Sequence, residues 1–253
     1  MPRQPRSPAE IEQIKQSILD QALDLIVEEG FEGFSMRKLA GRLGVTAVTI
    51  YSYYLNKDEL YLAIITRGFE QLYERCLAAY DAAQDPLDKF RAVLQAYVDF
   101  GFGETNVYNL MFTLSVPRYE DYVGTEMENA AGHELSTALK VSALFLLAGG
   151  NVVNTHESQP DTGKAPTIPA DTLRVYVISL WCALHGYISA CNNTLLNYVH
   201  EAPRTLEQPI INALIHNIQQ LKNEVDTSGA SALQYLSPDN PLPQNYNSEE
   251  DHP

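Results

Sequence analysis

The stretch at residues 35–60, SMRKLAGRLGVTAVTIYSYYLNKDEL, constrains the fold more than any other part of this chain. Ser35 can cap a helix that ends before Gly44, and Thr46 can cap a second, short helix directly after that glycine turn. Asn56, with Glu59 three residues later, can start a third. Two helices joined by so tight a turn are typical of a helix-turn-helix, whose second helix enters the major groove of DNA.

The charge distribution around this stretch agrees with a nucleic-acid surface. The whole chain has 17 Lys and Arg against 32 Asp and Glu, a net charge of −15. Residues 33–57 nevertheless contain Arg37, Lys38, Arg42 and Lys57 and no acidic residue. A solvated helix surface is the alternative interpretation, but together with the turn pattern the basic residues indicate a surface that meets phosphate.

Apolar residues recur with helical spacing along most of the chain, and no segment alternates with the period of a β-strand. We therefore predict an all-α fold with a three-helix DNA-binding domain and a larger helical domain for ligand binding and dimerisation. The predicted domains are residues 1–57, residues 58–225, and a disordered acidic tail at residues 226–253. The predicted helices lie at residues 8–30, 36–43, 47–53, 57–83, 87–102, 106–114, 126–148, 171–190 and 205–225, with a loop at 149–170.

Cysteine usage and hydropathy predict a soluble cytoplasmic protein without a membrane partner. Cys76, Cys182 and Cys191 are odd in number and show no CxxC spacing, so we expect buried free thiols. No signal peptide is visible, and the longest apolar stretch, residues 141–148, is far shorter than the ~20 residues that span a bilayer. We predict no cofactor and no metal site.

Residues 11–69 resemble the TetR family of one-component transcriptional regulators. The resemblance rests on a helix ending in EEGFEGFS, followed by MRKLAGRLGVT and then TIYSYYLNKDEL. Farther along, LWCALHG at residues 180–186 resembles the W-x-x-x-H-G helix of a TetR subgroup. The resemblance implies a homodimeric repressor that a small apolar molecule releases from a palindromic operator, and not an enzyme.

The resemblance also implies which residues contact DNA. Ile50 faces the core, which leaves hydroxyl and methyl groups of the same helix to meet phosphates, bases and thymine. Family members often carry Lys, Arg or Gln at the position of Ala47 and Gly or Pro at that of Val48, so more of the specificity is expected to rest on Arg37 and the tyrosines. The predicted DNA-binding residues are Arg37, Lys38, Thr46, Ala47, Thr49, Tyr51, Tyr53 and Lys57.

Two further sets of residues are predicted in the C-terminal domain. The aromatic set has an alternative interpretation as ordinary core, and His185 one as a satisfied buried histidine. The net charge of −8 on residues 61–225 favours an uncharged or cationic effector over an anion. The predicted ligand-binding residues are Tyr97, Tyr108, Met111, Phe112 and His185. The apolar stripes of the last two helices predict a four-helix dimer interface with Leu180, Leu184, Ile188, Leu214, Ile218 and Leu221.

Two other classes of function compete with this prediction. A helical enzyme would need a converged catalytic set, and the sequence shows none. A protein-interaction module with a degenerate helix-turn-helix would fail to shift DNA in a gel. The predicted partners are therefore a double-stranded DNA operator, a second copy of the chain and a small-molecule effector, with activation as the alternative to repression.

Overall fold

The computed structural model describes residues 7–153 and 170–228, and these residues form helices without any β-strand. The predicted all-α fold is confirmed. Two 3₁₀ turns, Leu195–Tyr198 and Pro203–Leu206, precede the last helix. The helices are α1 (Pro8–Gly33), α2 (Met36–Arg42), α3 (Ala47–Tyr51), α4 (Lys57–Ala82), α5 (Pro86–Gly103), α6 (Thr105–Phe112), α7 (Tyr119–Tyr122), α8 (Glu128–Val153), α9 (Ala170–Asn192) and α10 (Glu207–Ser228).

Side-chain caps fix the starts of the first four helices. Ser7, Ser35, Thr46 and Asn56 each accept a hydrogen bond from the backbone N–H three residues farther on. Each bond satisfies an N–H group that the first helical turn leaves without a partner. These bonds confirm the predicted starts of the four helices. The starts were predictable because the capping residues can be recognised in the sequence.

The turn between α2 and α3 needs a glycine. Gly44 has φ +66°, the left-handed region in which an L side chain is strained. The turn brings Leu39 of α2 and Ile50 of α3 into one core, where both are fully buried. The geometry is that of a helix-turn-helix, as predicted.

Helix α4 joins the two halves of the molecule. Lys57, Tyr61 and Arg67 in its first half contact α1, and the helix also packs against α5, α6 and α8. The close approach of α6 depends on Gly68, where a Cβ would lie 2.7 Å from Met111 Sδ and 2.9 Å from Val107 Cγ2. The absence of a side chain at Gly68 therefore lets α6 pack directly on α4.

Some helix ends differ from the prediction. Helix α1 continues past Gly30 through a kink (φ 76°, ψ 163°), and α3 ends at Tyr51, two residues early. Helix α8 runs to Val153 through glycines that were predicted as loop. A Cβ on Gly149 would lie 3.0 Å from Val177 Cγ2, so this glycine allows α8 to pack on α9 rather than breaking the helix.

The predicted loop and tail fall largely outside the described residues. Residues 154–169 and 229–253 are not among them. Helix α10 extends to Ser228, three residues into the predicted tail.

Helices α8 and α9 are long and apolar enough, by length and composition alone, to cross a membrane. Half of the apolar window of α8 is buried inside the fold, against 28% for α9. Since α8 packs on α4 and α5, it is a core helix. Helix α9 instead leaves apolar surface uncovered within the single chain.

Candidate functional sites

The exposed face of α3 is short and uncharged. Val48 is 78% exposed, and Tyr51 is also exposed, whereas Ile50 is 1% exposed and anchors the helix to the core. Residues two positions apart in a helix lie on nearly opposite sides, so Val48 points directly away from the core. Thr46 is exposed, and Ala47, Thr49 and Tyr53 are half-buried beside this face.

Two of the four predicted basic residues are neutralised within the fold. The Lys38 ammonium pairs with the Glu29 carboxylate and donates to the Gly33 carbonyl at 2.9 Å. The Arg42 guanidinium donates two bonds, of 2.6 and 2.8 Å, to the Glu28 carboxylate. This bonding lowers the pKa of Glu28. The predicted basic island is therefore smaller than its sequence suggests.

Arg37 and Lys57 are the cations that remain at this surface. Arg37 is exposed and has no ion pair among the residues described. Lys57, at the start of α4, holds its Nζ 4.4 Å from the centroid of the Phe31 ring, which positions the ammonium without neutralising it. Both cations can therefore meet phosphate.

Four of the five predicted ligand-binding residues form one cluster between α5, α6 and α9, and Met111 lies on the α4 side of α6. The Tyr97 and Tyr108 hydroxyls are 3.1 Å apart, and Tyr108 Oη is 2.7 Å from His185 Nδ1. The Phe112 ring contacts both tyrosines and His185, with centroids 4.9 to 6.3 Å apart. Met111, which directly precedes Phe112 on α6, is buried against α4.

Trp181 completes this aromatic cluster, although the sequence prediction did not include it among the ligand residues. Its ring stacks on the His185 ring, with centroids 5.3 Å apart and an interplanar angle of 11°. Trp181 and His185 are four residues apart on α9, a spacing that puts them on one helix face and could have identified the pair.

Burial sets the protonation of the cluster. It raises the pKa of Tyr97 and of Tyr108 and lowers the pKa of His185, so all three are neutral at neutral pH. The Tyr97 hydroxyl, the Tyr108 hydroxyl and His185 Nδ1 form one hydrogen-bonded series. The cluster is therefore mainly apolar, with these hydrogen-bonded polar groups inside it.

The six predicted dimer-interface residues do not form an outer surface. Leu180, Leu184, Ile188, Leu214, Ile218 and Leu221 are all 6% exposed or less within the single chain. These stripes pack α9 and α10 against the chain's own core, which leaves the six side chains little surface to offer a second copy. The side of α9 that remains uncovered carries Val175, Ile178, Cys182, Ala183 and Gly186.

The cysteines are free, as predicted, but they are not all buried. Cys76 is buried, Cys191 is half-buried and Cys182 is exposed. Burial raises the pKa of the Cys76 thiol to about 12, so it remains a thiol at neutral pH. The helical pattern located Cys182 on a helix, but it did not identify the exposed face.

The segment between α6 and α8 ties the C-terminal region to the start of α4. The Tyr122 hydroxyl donates to Asp58 Oδ1 at 3.0 Å, and the Tyr61 hydroxyl donates to the Pro117 carbonyl at 3.1 Å. Arg118 donates to the Met111 carbonyl, also at 3.0 Å. This segment therefore contacts α4 near its start, whereas α6 contacts it at Gly68.

Two family models match the chain. Residues 18–64 match the model described as bacterial regulatory proteins, tetR family. Residues 90–208 match a tetracyclin repressor-like C-terminal domain. The boundary between the two matches falls along α4 and the start of α5, where the structure joins the helix-turn-helix to the larger helical region.

Named relatives and solved structures agree with these matches. The HTH-type transcriptional activator FasR of Mycolicibacterium smegmatis is 27% identical over 161 residues, 63% of this chain and 70% of FasR. A tetR-family regulatory protein from Rhodococcus RHA1 is similar with a TM-score of 0.61 at 12% identity, covering 84% of this chain and 98% of that one. The fatty acid degradation regulator FadR from Bacillus halodurans gives 0.57 at 15% identity, covering 84% and 97%. These two structures show a shared fold.

Proposed function

Because the chain belongs to the tetR family of bacterial regulatory proteins, we propose that it is a homodimeric repressor that a small apolar molecule releases from a palindromic operator. The family and the named relatives are DNA-binding transcriptional regulators and not enzymes. The observation that carries the proposal is the capped helix-turn-helix with α3 exposed beside Arg37 and Lys57. A regulator of bacterial transcription works in the cytoplasm.

The proposed dimer uses the uncovered side of α9. Ile178 is 50% exposed, and Val175 and Cys182 lie one turn to either side of it on the same face. A second copy that packs its own α9 there would remove this apolar surface from water. A two-fold axis at this place would present two α3 helices to one DNA face, and half-sites one helical turn apart need a separation of ~34–36 Å.

The proposed effector site is the aromatic cluster. Its walls are rings, and the Tyr97–Tyr108–His185 chain offers a few polar groups, the usual composition of a small-molecule site. Tyr97 and Tyr108 are fully buried, so an effector must displace rings as it enters. A mainly apolar molecule fits this surface, and one structural neighbour is named for regulating fatty acid degradation.

The proposed release mechanism follows from the packing of α6. An effector that moves Tyr108 or Phe112 shifts α6, which presses on α4 at Gly68 and pulls on Arg118. A tilt of α4 in both copies changes the separation of the two α3 helices. A coupling free energy of ~1–3 kcal/mol is typical of such switches.

Duplex selection followed by titration tests the proposal. The full chain is used to select a duplex from a random library, and its affinity is measured by anisotropy at several salt concentrations. We expect one preferred near-palindrome and a fall in log affinity with log salt of ~0.9 per neutralised phosphate. Equal affinity for every duplex at all salt concentrations would contradict the proposal.

Activation is the second candidate, because FasR is named a transcriptional activator. Transcription in vitro from a promoter that carries the selected duplex distinguishes repression from activation. A repressor lowers the transcript level, and we expect a member of a panel of small, mainly apolar molecules without negative charge to restore it. An activator raises the transcript level, and effector binding would change that rise.

A further inference from the structure

The face that α3 presents outward lacks the side chains that usually read bases through hydrogen bonds. Thr46, Ala47, Val48, Tyr51 and Ser52 occupy it, and none of them carries an amide or a charge. The bidentate contacts to guanine and adenine need Arg, Lys, Asn or Gln. Within α3 such contacts are therefore unavailable.

The hydroxyls at this face are partly used by the helix itself. Thr46 Oγ1 accepts from the Thr49 amide and lies 3.0 Å from Thr49 Oγ1. The Ser52 hydroxyl donates to the Thr49 carbonyl at 2.7 Å. Beside the Tyr51 side chain, which is 52% exposed, methyl groups are then the main features left to face a base, and those of Val48 are the most exposed, at 78%.

Only one DNA base presents a matching group. In the major groove thymine carries a C5-methyl, whereas the other three bases show only donors and acceptors. We propose that α3 selects its half-site through thymine methyl groups, with Val48 as the principal contact and Ala47 beside it. This inference rests on the proposed operator binding and assigns Val48 a role that the sequence prediction did not give it.

Replacement of thymine by deoxyuridine tests the inference, since it removes the methyl and leaves base pairing unchanged. In the selected duplex each thymine of a half-site is replaced in turn, and the affinity of the full chain is measured. At one or two positions per half-site we expect affinity to fall about fourfold, the effect of losing one buried methyl-sized group. Insensitivity at every thymine, or a selected half-site without thymine, would overturn the inference.

Val48 variants assign the effect to the residue. In Val48→Ala, affinity for the unmodified duplex should fall severalfold, and deoxyuridine at the sensitive position should cause no further loss. Val48→Thr keeps the shape of the side chain but replaces a methyl by a hydroxyl. In this variant, deoxyuridine should lower the affinity less than it does in the parent protein. Val123→Ala is the matched control, because Val123 is 55% exposed but lies in the C-terminal region. It should keep full deoxyuridine sensitivity.

The outcomes separate this inference from the proposed function. If the chain prefers no duplex, the operator proposal fails. If it prefers one duplex, but Val48→Ala keeps the full response to deoxyuridine, the operator proposal stands and the assignment to Val48 is overturned.

Discussion

The Tyr108 hydroxyl lies 2.7 Å from His185 Nδ1, and this bond joins α6 to α9 inside the C-terminal domain. Tyr108 also contacts the Tyr97 hydroxyl and the Phe112 ring. Tyr108 thus links the buried hydrogen bonds of the cluster to α6, the helix that packs on α4.

Removal of that hydroxyl should destabilise the protein. Tyr108→Phe leaves His185 Nδ1 and the Tyr97 hydroxyl without their partner, and an unsatisfied buried polar group costs about 1–3 kcal/mol. Urea unfolding should show this loss in the free energy of unfolding. Tyr198→Phe is the control, since Tyr198 is 89% exposed, and it should unfold like the parent protein. Equal stability of all three proteins would show that the bond contributes nothing.

The approach of α6 to α4 can be tested at Gly68. Gly68→Ala places a methyl 2.7 Å from Met111 Sδ. Overpacking of this kind costs about 1–3 kcal/mol, of which the higher helix propensity of alanine offsets at most about 1 kcal/mol. The melting temperature should fall, and operator affinity should change with it. In Gly41→Ala the new methyl meets nothing within 4 Å, so helix propensity should make that variant as stable as the parent or more so. A Gly68→Ala protein with unchanged melting temperature and affinity would contradict the proposed route from α6 to α4.

Glu134 on α8 should make stability depend on pH. Burial raises the pKa of its carboxyl from 4.5 to about 7, against the opposing effect of Arg118. Between these values the folded protein holds a proton that the unfolded chain has released, so stability falls as pH rises from 4.5 to about 7. The loss should be about 1 kcal/mol, because partial exposure screens the charge. Thermal melts across this range should show the slope, and Glu134→Gln should remove its share of it. An identical slope in the variant would mean that other groups cause it.

The dimer surface can be tested by charge insertion. Ile178→Asp puts a carboxylate into the proposed interface on α9, and an unpaired buried charge is strongly unfavourable there. Sedimentation should show folded monomers that no longer bind the operator. Leu184→Asp should unfold the chain instead, since Leu184 is fully buried within it.

Leu139→Asp is the matched control for Ile178→Asp. Leu139 is also 50% exposed, but it lies on α8. This variant should remain a dimer that binds DNA. A dimeric Ile178→Asp protein, or a monomeric Leu139→Asp protein, would place the interface elsewhere.

The DNA-binding part was predictable because its signals are local. Ser35, Thr46 and Asn56 cap helices within three residues of themselves, and Gly44 must supply the left-handed turn. Such interactions depend on neighbours in the chain, so they can be read directly from the sequence. Tyr97, Tyr108 and His185 are different, because helical packing brings them together from distant positions, and the family resemblance rather than a local signal grouped them.

The sequence could not show which partner each surface meets. Arg42 appeared to be free within an acid-free stretch, but Glu28, fourteen positions earlier, neutralises it. The stripe through Leu184 marked a buried face correctly, but periodicity does not distinguish burial in the chain's own core from burial against a second copy. The exposed row through Ile178 is visible only once α8 and α10 are in place.

The position of Trp181 gives the protein an intrinsic optical reporter. It is the chain's single tryptophan, and it stacks on His185 within the cluster proposed to hold the effector. Tryptophan emission therefore arises from this one place, without background from elsewhere in the chain. Effector entry, or protonation of the imidazole at low pH, changes the surroundings of that ring, so both events can be followed by fluorescence in the unlabelled protein.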